Sequence, residues 1–340
     1  MLAERSKLLP GLSAMLQVFA DTCPADVQPA GLILALLCRP WLEQQRLDSP
    51  IARSLLTPSG YPIEFSFLTH SDSISYTAEP GLPQASSAAK WRFARALQGE
   101  LGPQLDPLLP LLMAQPAQRF GCWLGVRHAG GVPIFKIYQE VTASAHQPFL
   151  AALRRDVPGL DGGLDGVAAL TPQLLGVVAG DGRVTEYYCR LERPEPAAVH
   201  RLFARAGIAH QLPSAVDYLA YLAGLPQDQL WQRLRIGISY AVHAAGPPTV
   251  TLFAHARELF RTDAVARMRL LGLARQIGGR MPGYESITRK LEAQQGPCMM
   301  HGLVGLKMAH TGDISAAVGL RSLDEVSTAA DGLEPLIGGM

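Results

Sequence analysis

The chain has 340 residues, 48% of them hydrophobic and 17% charged, enough for one large core or two ordinary ones. Its 30 Lys and Arg against 29 Asp and Glu leave a net charge of +1, which excludes the overall field that holds nucleic acid or an anionic membrane, so any bound anion must meet a local cluster. The five cysteines (Cys23, Cys38, Cys122, Cys189, Cys298) form no Cys-x-x-Cys pair, the N-terminus lacks a signal peptide's apolar stretch, and no apolar run is long enough to span a bilayer. The expectation is a cytoplasmic protein with reduced thiols and no bound metal.

In chain order, five pairs of alternating apolar runs read as hairpins. Residues 61–68 and 73–78 flank His70-Ser71-Asp72, and residues 121–127 and 133–138 flank Ala129-Gly130-Gly131. The third pair, 173–178 and 183–191, surrounds Gly180-Asp181-Gly182; the fourth, 235–242 and 249–253, surrounds Ala245-Gly246-Pro247; the fifth, 299–308 and 314–320, surrounds Thr311-Gly312-Asp313. Between hairpins, apolar residues recur at helical spacing, as in Val199, Leu202, Phe203, Ala206 and in Val216, Leu219, Leu222, with about two helices in each gap. In the last gap Asp263 is expected to cap a helix that Gly278-Gly279 ends. The order helix, helix, strand, strand returns about every 60 residues, too long for short solenoids. Ten antiparallel strands left open would expose two hydrogen-bonding edges, whereas a closed barrel has none. The expected fold is therefore α+β: one domain over residues 1–340, a closed ten-stranded antiparallel barrel ringed by helices in five ααββ repeats, with a lumen roomy enough for two substrates. An α+β sandwich of the same hairpins is the alternative.

With helices outside, the apolar face of each strand points outward and the alternate residues line the lumen. Ile63, Phe65 and Phe67 then leave Glu64 and Ser66 inside. A carboxylate there is costly unless paired, hydrogen-bonded or used as a base. Phe135 and Ile137 outside turn Lys136 and Tyr138 inward, two apart, as an anion cradle, and the strand before them places Trp123 and Arg127 on the same side. In the third hairpin alternation permits either Arg183, Thr185 and Tyr187 or Glu186, Tyr188 and Arg190 inside, and the first set is preferred. The fourth hairpin adds Arg235 and Phe253. Arginines and lysines near strand ends ordinarily reach solvent, and inward aromatics are ordinarily core; the combination of carboxylate, cations and rings is what marks a site. His301 reads as a hydrogen-bonded core or rim residue.

The run Thr57-Pro-Ser-Gly-Tyr-Pro-Ile-Glu64-Phe-Ser66, followed by Ile74-Ser-Tyr-Thr-Ala-Glu79-Pro80, resembles the first hairpin of the dimethylallyltryptophan-synthase type of aromatic prenyltransferase, the ABBA or PT-barrel enzymes. Lys136-Ile-Tyr138 resembles their Lys-x-Tyr diphosphate motif, and the resemblance extends over residues 10–322. It implies a transferase that moves a dimethylallyl or longer prenyl group from its diphosphate to an indole such as tryptophan. By that resemblance Glu64 accepts the indole N–H, and Lys136 and Tyr138 bind diphosphate; from the inward faces, Arg127, Arg183 and Arg235 are the further candidates for diphosphate, and Trp123, Tyr187, Thr185, Phe253, Ser66 and Ser75 those for shielding the allylic cation and holding the acceptor. Three positions depart from the family's pattern: Ser75 stands where an Arg is common, Arg183-x-Thr185-x-Tyr187 where Arg-x-Lys-x-Tyr is usual, and Phe253 where a Tyr is frequent. No Asp-Asp-x-x-Asp segment is present to hold diphosphate through magnesium, so no cofactor or metal is expected. The expected partners are a prenyl diphosphate and an aromatic small molecule or peptide, with no nucleic acid and no membrane. Two rival readings are prenylation of peptide side chains or phenols on the same fold, and a non-catalytic binding barrel in which Glu64 merely pairs with Lys136.

Overall fold

Alternation of side-chain environment is strict in three strands of the molecule. In β1 (Ile63–Leu68) and β6 (Val184–Leu191) buried and half-buried residues alternate without a break. The third is β8 (Thr249–His255); the pattern is broken in β2 (Ile74–Ala78), β3 (Cys122–Ala129), β4 (Val132–Glu140), β5 (Leu170–Val178), β7 (Gly237–His243), β9 (His301–Met308) and β10 (Ile314–Leu320), where residues of both faces can be buried. In this computed structural model the described residues are 10–45, 54–57, 60–71, 73–98, 108–115, 118–157, 170–178, 184–191, 195–244 and 246–321.

Each strand pairs antiparallel with its chain neighbours, and β10 returns to β1 with Ser66 opposite Gly319, so the ten strands form a closed barrel. Closure satisfies both edges that an open sheet would leave unpaired. The apolar core is the layer between barrel and helices. Phe67 stacks on Phe19, just beyond α1 (Pro10–Gln17), at 5.6 Å between ring centroids, and meets Tyr284 of α11 (Pro282–Ile287) edge-on at 5.8 Å. Tyr187 likewise packs edge-on against Phe149 of α5 (His146–Asp156) at 5.2 Å. Burial of this outer face leaves the polar alternates to line the lumen.

The helices start and stop for local reasons. Pro196 opens α6 (Pro196–Arg205), where its missing N–H costs nothing, and Gly224 ends α7 (Leu212–Ala223) in a left-handed conformation at φ 62°. The cap of α10 (Asp263–Gln276) differs from expectation: Thr262 accepts the Val265 N–H at 3.2 Å. Asp263 is drawn away because it accepts from the N–H groups of Met299 and Met300 and from His301 Nδ1. Two of the gaps hold three α-helices instead of the expected two. Between β6 and β7, α8 (Gln227–Arg233) joins α6 and α7, and between β8 and β9, α9 (Ala256–Leu259) joins α10 and α11, while α5 is the one α-helix described between β4 and β5. The first two gaps hold α2 (Pro24–Gln45), α3 (Ser87–Gln98) and α4 (Leu108–Met113) in addition to α1. A fully buried pair, Lys90 of α3 to Glu79 just after β2 at 2.5 Å, joins helix to barrel, and Lys90 also donates to the Phe120 carbonyl at 2.9 Å. No helix among the described residues is long and apolar enough to cross a membrane.

Candidate active site

Glu64 enters the lumen from β1, opposite Thr77 of β2. Its carboxylate lies over Gly302 and Gly319, so close that a Cβ on either glycine would overlap its oxygens. Among the described residues it makes no hydrogen bond or ion pair. Burial without a compensating partner pushes its carboxyl up to about 8. Ser66 lies two residues along the same face, opposite Ser75 of β2, whose hydroxyl is buried and finds no partner among the described residues.

Three strands round the barrel, Lys136 and Tyr138 share the inner face of β4, opposite Gly125 and Trp123 of β3. Lys136 does not pair with Glu64. Its ammonium is ion-paired to Glu186 of β6, donates to the Tyr188 hydroxyl at 2.9 Å, and lies 4.8 Å and 5.2 Å from the ring centroids of Tyr138 and Tyr188. The other oxygen of Glu186 accepts from the Ser239 hydroxyl of β7 at 2.6 Å. Burial alone would push the Glu186 carboxyl up, but the Lys136 charge and hydrogen bonds from Lys136, Ser239 and Tyr188 hold it below the usual range. Burial alone would likewise pull Lys136 down, and Glu186 with Tyr138 outweighs it. Gly176 of β5 leaves room for the lysine stem, since a Cβ there would lie about 2.5 Å from Lys136 Cε.

An aromatic row continues from this network. Tyr138 and Tyr188 are 5.8 Å apart, and Tyr188 and Phe253 of β8 are 6.0 Å apart, with the Phe253 ring laid over Gly237. Trp123 stacks on Phe120 at 4.0 Å, and its indole N–H has no partner among the described residues. Arg127 is exposed on the lumen face of β3, opposite Ser75 and Ile134.

Three of the expected site positions fall elsewhere. Thr185 and Tyr187 face outward: Thr185 is opposite Val177 and Val242, and Tyr187 is opposite Leu175 and Tyr240, its hydroxyl donating to Asp156 of α5 at 2.5 Å. The inner face of β6 carries Val184, Glu186, Tyr188 and Arg190. Both alternate sets contain one tyrosine and several polar groups, so periodicity could not choose; the outward-facing neighbours on β5 and β7 do. Arg235 precedes β7 and is exposed, its backbone N–H donating to Glu258 at 3.2 Å. Arg183 lies outside the described residues. Lys307, exposed on the lumen face of β9 opposite Thr251 and Ser315, escaped the sequence reading, though the alternation of Leu303, Gly305 and Lys307 against Val304, Leu306 and Met308 carried the signal.

One group with metal-ligand chemistry lies among the described residues, outside the lumen. Asp263, Cys298 and His301 are buried together, but their donors are spent on one another: Asp263 accepts from His301 Nδ1 at 2.6 Å and from Cys298 Sγ at 3.4 Å, and His301 Nε2 lies 2.8 Å from the Tyr284 hydroxyl. It is a hydrogen-bonded clamp between α10, α11 and β9, with His301 the satisfied buried histidine expected.

No protein-family model and no curated protein matches the chain. Solved structures do. The 5-dimethylallyltryptophan synthase of Streptomyces coelicolor in complex with DMASPP and Trp superposes with a TM-score of 0.70 at 17% identity, covering 96% of this chain and 98% of that one. The 6-dimethylallyltryptophan synthase of Micromonospora olivasterospora, also in complex with DMASPP and Trp, gives 0.69 at 17% identity over 92% and 96%. AnaPT from Neosartorya fischeri gives 0.66 at 14% identity over 91% and 92%. The fold is the dimethylallyltryptophan-synthase barrel.

Proposed function

We propose that this barrel, acting as a single domain, transfers a dimethylallyl or longer prenyl group from its diphosphate to an indole such as tryptophan. The observation that carries this reading is Glu64: a carboxylate without a partner among the described residues, inside a barrel that matches tryptophan-bound synthases over nearly its whole length. Transfer breaks the allylic C–O bond, with pyrophosphate leaving on the electron pair, forms a bond from the ring to the allylic carbon, and releases the ring proton. Glu64 accepts the indole N–H and raises the ring's nucleophilicity. Tyr138, Tyr188, Phe253 and Trp123 surround the allylic cation with π faces, each worth about 1–2 kcal/mol when desolvated, and exclude water. Lys136, Arg127 and Lys307 meet the diphosphate by charge-assisted hydrogen bonds, and no metal is required.

Incubation with dimethylallyl or geranyl diphosphate and a panel of indoles, peptides and phenols, read by product mass, tests the reading. Prenylated indole, formed equally in excess EDTA, is the expected result. Product only from peptides or phenols overturns the acceptor assignment; loss in EDTA that magnesium restores overturns metal independence; and absence of product with every pair leaves only a binding barrel.

A further inference from the structure

The lumen holds a charged group that the proposed reaction does not use. Glu186 stands on the inner face of β6, its two oxygens engaged by Lys136 and Ser239, and both members of the ion pair keep part of their surface open to the cavity, at 17% for Lys136 and 13% for Glu186. An ammonium already matched by a fixed carboxylate offers a second anion little net attraction, because the carboxylate repels about as strongly as the ammonium attracts at similar distance. The other lumen-facing cations named above, Arg127, Arg190 and Lys307, stand on β3, β6 and β9, and the first and last lie within two residues of their strands' hairpin ends.

We propose that Glu186 sets the affinity of the lumen for diphosphate, as a tethered carboxylate that occupies the anion seat at Lys136 and weakens the hold on the incoming anion. Donor binding then requires the diphosphate to displace Glu186 from Lys136, and departing pyrophosphate is replaced by Glu186, which favours its release. The Lys136–Tyr188 contact and the Ser239 hydroxyl define the two positions between which Glu186 exchanges, since Ser239 continues to donate to one carboxylate oxygen when the other lets go. The carboxyl held below the usual range keeps Glu186 ionised at neutral pH, so the competition operates under physiological conditions.

The inference rests on reading the lumen as a diphosphate seat, and its test is independent of turnover. Inorganic pyrophosphate is titrated into the full chain by calorimetry in EDTA-containing buffer, for wild type, Glu186→Gln, Glu186→Ala, and Glu186→Gln combined with Lys136→Ala. Glu186→Gln keeps shape and both hydrogen-bonding positions while removing the charge, and Glu186→Ala serves if the amide disturbs folding. Either is expected to bind pyrophosphate about tenfold or more tightly than wild type, and Lys136→Ala is expected to cancel the gain. Unchanged or weaker binding in both single variants overturns the proposal, as does a gain that survives Lys136→Ala. If the prenyl-transfer assay yields no product, the pyrophosphate comparison still decides the role of Glu186; if product forms and the comparison fails, only Glu186 is reassigned.

Discussion

A carboxylate with no partner in a protein interior holds its proton, and Glu64 shows the consequence. Its carboxyl is pushed up to about 8, so at neutral pH most empty barrels carry the neutral acid, a poorer acceptor for an indole N–H than the carboxylate. The kcat/KM for an indole is therefore expected to rise with pH and level off above about 8, as free Glu64 ionises. Glu64→Gln resembles the neutral acid at every pH; it should lose that limb, with turnover lower by about 10² once wild type is ionised. A flat wild-type profile with full activity in the variant contradicts the role. Stability follows the same proton. Because the folded value lies above the ordinary one of 4.5, the folded chain keeps a proton that the unfolded chain gives up, and wild type loses stability as pH rises from about 4.5 through about 8. The thermal midpoint of Glu64→Gln, measured against wild type, should rise across that interval.

At the scale of elements, what alternation could show depended on how unlike the two faces of a strand are. In β1 one face is Ile63, Phe65 and Phe67 and the other Glu64 and Ser66, so the inward set was legible; β4 and β8 were legible for the same reason. In β6 each face carries a tyrosine and polar groups, and only pairing with β5 and β7 assigns Thr185 and Tyr187 to the helices and Glu186 and Tyr188 to the lumen. The cap of α10 was misjudged by one residue because Asp263 serves β9, a contact between distant segments that local pattern cannot carry. The glycines under Glu64 were equally illegible, since their meaning lies in what stands across the barrel. Gly319 has no unusual backbone conformation, so Gly319→Ala should fold, yet its methyl group would overlap the Glu64 carboxylate. Circular dichroism close to wild type with indole turnover at least about tenfold lower is expected; unaltered turnover means that Glu64 does not need its observed position.

For the molecule as a whole, the five hairpins and the argument against open edges were enough to anticipate closure, because both follow from turn residues and backbone hydrogen bonding. The number of helices in each gap and the charge pattern of the lumen were not, since they depend on which wall each side chain meets. The assembled molecule separates a carboxylate over Gly302 and Gly319, without a partner among the described residues, from an ion-paired lysine on β4, with a row of rings between β4 and β8. Under the proposed function, the acceptor would lie on the first side and the donor on the second. The most direct test is a crystal structure of the chain with dimethylallyl thiolodiphosphate and tryptophan bound together. The indole N–H is expected within hydrogen-bond reach of Glu64, about 3 Å, with the allylic chain among Tyr138, Tyr188 and Phe253 and the diphosphate toward Lys136, Arg127 and Lys307. Tryptophan bound outside the lumen, or Glu64 facing the diphosphate instead of the indole, would contradict the account.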